Sequence, residues 1–151
     1  MRKLHSLFLL PLAMFATLAF AQQGQSGQAA GATPQPWTHQ TKQLTRAQVD
    51  NYLAKPDKVL FIDVRRPDEI VNKGSFPVFL NVQVADLKDN LAFIPKDREI
   101  ITVSNRAHRA GDVGDILASS GYKVAGAIGS DDYLEQGGTI KKILPPPPRK
   151  Q

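Results

Sequence analysis

The chain has 151 residues, 42% hydrophobic and 22% charged, as expected of one globular domain with tails. Of its formal charge of +5, Arg2 and Lys3 stand in a leader without acidic residues, which leaves +5 − 2 = +3 for the rest. No block of lysine and arginine able to neutralise a run of phosphates follows, which argues against nucleic-acid binding, and the lack of any cysteine excludes both a disulfide and a thiol nucleophile.

Residues 1–21 read as a signal peptide. Arg2 and Lys3 supply the positive start, Leu7 to Phe20 is apolar apart from Pro11 and Thr17, and Ala19-Phe20-Ala21 gives the small-x-small cleavage pattern. The apolar run is too short and broken for a comfortable membrane span, so no stable membrane insertion is expected after cleavage. Both methionines, Met1 and Met14, fall in this leader. The remaining chain would carry no sulfur, which suits an oxidising compartment, so a periplasmic or secreted location is expected.

Residues 22–40, rich in Gln, Gly, Ala, Ser and Pro, read as a disordered linker, and residues 144–151, with Pro145 to Pro148, as a disordered proline-rich tail. The segment between, 41–143, is the expected domain. Thr45-Arg46-Ala47-Gln48 is a capping box, with Leu44 and Val49 placed for a hydrophobic staple, and predicts a helix to about Ala54. Val59 to Ile62 reads as a buried strand ending at Asp63. Pro67, Asp68 and Glu69 suit the first turn of a short helix that Gly74 would end. Val78 to Val82 predicts a second strand, Ala85 to Phe93 a helix, and Ile100 to Val103 a third strand. Arg109 to Ser120 predicts a helix with Gly121 at its C-cap. Lys123 to Ile128 reads as the fourth strand and Asp131 to Gln136 as a last short helix. Strands alternating with helices imply an α/β domain with a mostly parallel sheet flanked by helices on both faces. Ligands of such sheets bind beyond the carboxyl ends of the strands, which directs attention to the segments after Asp63 and Val103.

After Val103 comes Ser104-Asn105-Arg106-Ala107-His108-Arg109, opening directly into a helix. With this loop in place, the stretch from about Thr41 to Ile143 resembles the rhodanese-like (sulfurtransferase) domain family. Asp63-Val64-Arg65 with Pro67-Asp68-Glu69 resembles the family's DVR-x-P-x-E segment. Gly74-Ser75-Phe76-Pro77 followed by Leu80-Asn81-Val82 resembles its G-H-I-P-G-A-x-N-I segment. Gly121-Tyr122-Lys123-Val124 and Gly137-Gly138 fit its final strand and glycine pair. The resemblance implies that the loop corresponds to C-x-x-G-x-R, in which the cysteine carries sulfane sulfur as a persulfide.

Ser104 stands at the cysteine's position, Ala107 at the glycine's and Arg109 at the arginine's. A serine hydroxyl ionises far above neutrality and cannot replace a soft thiolate at sulfur, so the departure removes the family's reaction. A loop position needing positive φ would also penalise Ala107. What survives is a strand-to-helix loop whose amides and helix terminus form an anion cradle, with Arg106, His108 and Arg109 adding charge. The resemblance adds Asp63 and Arg65 as supporting groups.

The expected role is non-catalytic: binding of a small oxyanion, or of an acidic group on an exported protein partner, through Ser104, Asn105, Arg106, Ala107, His108 and Arg109. The bland alternative is a relic loop with solvated charges. The enzymatic alternatives are a sulfurtransferase-related protein acting with another protein's thiol, or a hydrolase using Ser104 with His108 as base. The flanking glycines of Gly-x-Ser-x-Gly are absent. No cofactor is called for. His39 and His108, far apart in sequence and without cysteine, make a poor structural zinc site, so no metal is expected. Asp112 and Asp115 read as a polar helix face, and Trp37 as an aromatic packed on the domain edge.

Overall fold

The computed structural model describes residues 35–143. The expected signal peptide, most of the linker and the proline-rich tail lie outside the described residues. The elements run α1 (Arg46–Leu53), β1 (Val59–Asp63), α2 (Pro67–Lys73), β2 (Phe79–Asn81), α3 (Leu87–Asn90), β3 (Glu99–Ser104), α4 (His108–Ser119), β4 (Val124–Gly129) and α5 (Ser130–Glu135). The four strands form one sheet in the order β2-β1-β3-β4, parallel throughout.

Period-two alternation sorts the strand residues onto two cores. Leu60, Ile62, Val64 and Ile100 face Leu87, Val113, Leu117 and Tyr122, which α3, α4 and the turn after α4 supply. Val59, Phe61, Ile101, Val103 and Ile128 face the other way, against Leu44, Val49, Phe76 and Tyr133. Each face of the sheet is therefore covered by helices, as parallel sheets require. The alternation survives a bulge: Ile100 pairs with Val124 but Ile101 with Gly126, so Ala125 is the extra residue.

Local chemistry explains the helix starts. Thr45 and Gln48 close a capping box on α1, and Leu44 and Val49 are both buried in the same core. Pro67 opens α2, where Glu69 Oε2 accepts the Arg66 amide at 2.9 Å. The helix expected over Ala85 to Phe93 is not continuous. It breaks into a 3₁₀ turn at Val84–Asp86, one α-turn at α3 and a second 3₁₀ turn at Leu91–Phe93. None of these pieces has a side-chain cap, and only Leu87 is fully buried, so little packing opposes the tendency of short helices to tighten or fray.

Just before β2, one residue sits against its own preference. Val78 has φ 59°, a conformation that costs an L-residue about 1–2 kcal/mol and is worse for a β-branched one. Its carbonyl accepts the Phe61 amide at 3.2 Å, so the strained turn is held by the start of the β1–β2 ladder.

Residues 35–40, the described part of the expected linker, run along α4. Asp115 accepts hydrogen bonds from the amides of Gln40 (3.1 Å) and Thr41 (2.6 Å) and from the Thr41 hydroxyl (2.6 Å). Gly111 and Gly114 leave room for them. A Cβ at Gly111 would lie 2.5 Å from Cγ of His39, and one at Gly114 would lie 2.6 Å from Oγ1 of Thr41. Asp115 is thus a docking residue, not simply part of a polar face. Its carboxyl is held below the usual range, burial being outweighed by the Thr41 and Gln40 hydrogen bonds together with the nearby His39.

Candidate functional site

The parallel register brings the carboxyl ends of β1, β3 and β4 to one edge, with Asp63 opposite Val103 and Ser104 opposite Gly129. A buried ion pair ties this edge together. Arg65, fully buried, donates from Nε and Nη2 to Asp63 (2.9 and 2.7 Å), from Nη1 to Ser130 Oγ (3.1 Å) and from Nη2 to the Gly74 carbonyl (2.7 Å). Asp63 also accepts the Ser75 hydroxyl at 2.6 Å. These two residues join the end of β1, the Gly74 turn and the start of α5. They offer no free charge to a ligand.

The loop lies between β3 and α4. Ser104 is buried, and its Oγ accepts the Ala110 amide at 3.2 Å. Ala107 takes φ 63°, the left-handed conformation that a glycine adopts more cheaply. The turn therefore forms despite the alanine, at a cost of about 1–2 kcal/mol. Thr102 Oγ1 donates to the Ala110 carbonyl at 2.8 Å and anchors the first turn of α4 to β3. Asn105 O accepts the Asp131 amide at 3.0 Å, which joins the loop to α5. The amides of Asn105, Arg106, Ala107 and Arg109 donate to no acceptor among the described residues.

The loop's cations are already engaged. Arg106 pairs with Asp132 (2.9 Å) and Glu135 (2.7 Å) of α5. Arg109 meets Glu69 of α2 at 3.0 Å. Sequence reasoning missed this role of Glu69: its place at the third position of α2 signalled a helix start, whereas the structure uses it as a clamp. Besides Arg109 it accepts the Asn105 side-chain amide at 2.6 Å and the Arg66 backbone amide at 2.9 Å. The Arg109 hydrogen bond, against the opposing effect of burial and with help from the Arg66 amide, holds the Glu69 carboxyl down to about 2.

A carboxyl lowered on folding stabilises the fold above its unfolded pKa and loses that contribution as pH falls through the folded value. The window here runs from about 4.5 down to about 2. Allowing for solvent at the half-exposed Arg109, the contribution is about 1–2 kcal/mol. Thermal melts from pH 5.5 to 2.5 should fall more steeply for the wild type than for Glu69→Gln. Parallel curves would show that the clamp carries no net energy.

His108, the first residue of α4, turns to Trp37 and His39, with ring centroids 5.6 and 5.7 Å away, and no hydrogen bond joins it to Ser104 among the described residues. The nucleophile–base pair that a serine hydrolase needs is not assembled. A cleft of about 420 Å³, lined by Lys42, Leu44, Tyr52, Lys55, Lys58 and Glu99 among others, lies instead at the amino ends of β1 and β3, away from the loop.

The all-parallel sheet with its β3–loop–α4 turn is a rhodanese-like fold, in a chain without cysteine. A rhodanese-related protein from Thermoplasma volcanium superposes with a TM-score of 0.60 at 15% identity, over 68% of this chain and 99% of that one. A single-domain sulfurtransferase of Saccharomyces cerevisiae superposes with a TM-score of 0.52 at 27% identity, over 68% and 96%. The candidate sulfurtransferase YtwF of Bacillus subtilis is 24% identical over 88 residues, 58% of this chain and 84% of its own length. The chain spans 17% of the longer CoADR-RHD protein of Bacillus anthracis, which it matches at 23% identity over 64% of its own length with a TM-score of 0.57. No family model matches.

Proposed function

We propose that this is an exported, non-catalytic rhodanese-like domain that binds a small oxyanion, or an acidic group of an exported partner, on the Ser104–Arg109 loop. The observation that carries this reading is the Ala107 turn, which leaves four amides without acceptors among the described residues at the N-terminus of α4. Ser104 supplies no sulfur nucleophile, and the serine-hydrolase alternative lacks its base. Arg109, held by Glu69, orients the site and adds charge only in part, so the amides carry most of the binding.

The test is a thermal-shift titration of the purified chain with phosphate, sulfate, sulfite and thiosulfate against chloride at matched ionic strength. A ligand at about a hundred times its dissociation constant stabilises by about 2.7 kcal/mol. One anion should raise the midpoint, by less in Arg109→Ala and by more in Glu69→Gln, where the competing carboxylate is gone. An equal response to chloride in all three proteins would overturn the anion reading. Thiosulfate:cyanide turnover that Arg109→Ala abolishes would favour the enzymatic alternative.

A further inference from the structure

The fold brings together two histidines that are 69 positions apart in sequence. His39 and His108 have ring centroids 5.7 Å apart, and the Trp37 ring lies 4.6 Å from the first and 5.6 Å from the second. Two imidazoles sharing one ion at nitrogen–metal distances of about 2.0–2.1 Å place their centroids roughly 5–6 Å apart. The observed separation falls in that range.

His39 is held in place and not solvated. Its side chain is only 10% exposed, and its ring packs on Gly111, where a Cβ would not fit. Trp37 is fixed in turn, its Nε1 donating to Thr41 O at 2.9 Å. Nδ1 of His39 lies 3.3 Å from Asp112 Oδ1 and 4.0 Å from Asp115 Oδ2. A carboxylate on that side favours the tautomer with the proton on Nδ1, leaving a lone pair on Nε2. Nε2 is buried and has no hydrogen-bond partner among the described residues. An acceptor left bare in this way is costly, and a carboxylate behind the opposite nitrogen is how metal-binding histidines are commonly oriented.

We propose that His39 and His108 form a binding site for a late first-row divalent transition-metal ion, with Trp37 as its apolar wall. Imidazole suits copper, nickel and zinc, and copper(II) should bind tightest. No group of three or more metal-ligating side chains converges among the described residues, so the protein offers two ligands and the other positions fall to water or an anion. The two nearby aspartates favour a cation, while the N-terminus of α4 opposes one, so the imidazoles must carry the affinity. The proposal is independent of the anion reading, although His108 belongs to the same loop.

Trp37 is the only tryptophan in the chain, so its emission reports the site directly. Copper(II), nickel(II), zinc(II) and magnesium(II) chlorides would be titrated into the purified chain, free of any histidine tag. Copper(II) should quench Trp37 emission saturably at about one ion per chain, and magnesium should not. His39→Gln and His108→Gln should each weaken binding by at least roughly tenfold, and Asp112→Asn by a smaller factor. His108→Gln leaves the hydrogen bonds of residues 37–41 untouched, so a loss there with an unchanged thermal midpoint reflects ligation, not loosening of the segment. Quenching that never saturates, or that persists unchanged in His108→Gln, would overturn the proposal.

Discussion

Arg65→Ala is expected to lower the stability of the domain by about 3–5 kcal/mol, the cost of removing one partner from a buried ion pair. Arg65 and Asp63 are both inaccessible to solvent. With the guanidinium gone, Asp63 keeps the Ser75 hydroxyl and the residue 65 amide but loses its counter-charge. The Gly74 carbonyl and the Ser130 hydroxyl lose their donor at the same time. Against a total of about 5–15 kcal/mol, this is a large fraction. Urea unfolding followed by far-UV circular dichroism measures it. The double variant Asp63→Asn/Arg65→Met should lose clearly less than the sum of its two single changes, because it strands no charge. A loss below about 1 kcal/mol in Arg65→Ala would mean that water enters and the pair is not buried in solution.

Gly74→Ala should be the next most damaging change, at about 2–4 kcal/mol. The residue has φ 86° and ψ 179°, a region open almost only to glycine, and forcing another residue into it costs about 1–3 kcal/mol. The added Cβ would also run into the backbone carbonyl of Lys141, which accepts the Ser75 amide at 3.1 Å. A backbone atom cannot swing aside as a side-chain end can. The midpoint of thermal unfolding should fall by roughly 10 °C or more. Since Gly74 also accepts from Arg65, the two variants share a network, and their combined loss should be less than additive. An unchanged midpoint would show that the Lys141 segment is not held against the turn in solution.

The elements most legible in the sequence were those specified by neighbouring residues. The Thr45–Gln48 capping box and Pro67 at the start of α2 depend on contacts a few residues apart, and the apolar run from Val59 and the Ser104–Arg109 loop show as short local patterns even though their partners are distant. Where local signals were weak, as from Ala85 to Phe93, one helix was expected, but the chain forms three short turns for want of caps and buried anchors.

By itself, the sequence determined the absence of a thiol, the alternation of strands and helices, and the loop that opens α4. These depend on composition and short-range pattern. Only the tertiary structure decided what the charges do. Arg65 is spent internally on Asp63, Arg109 is held by Glu69 across 40 positions, and Asp115 docks Thr41 across 74. Only the fold could place His39 beside His108. Such pairings follow from where the parallel sheet delivers its strand ends, and a linear pattern carries no record of which distant groups will share one edge.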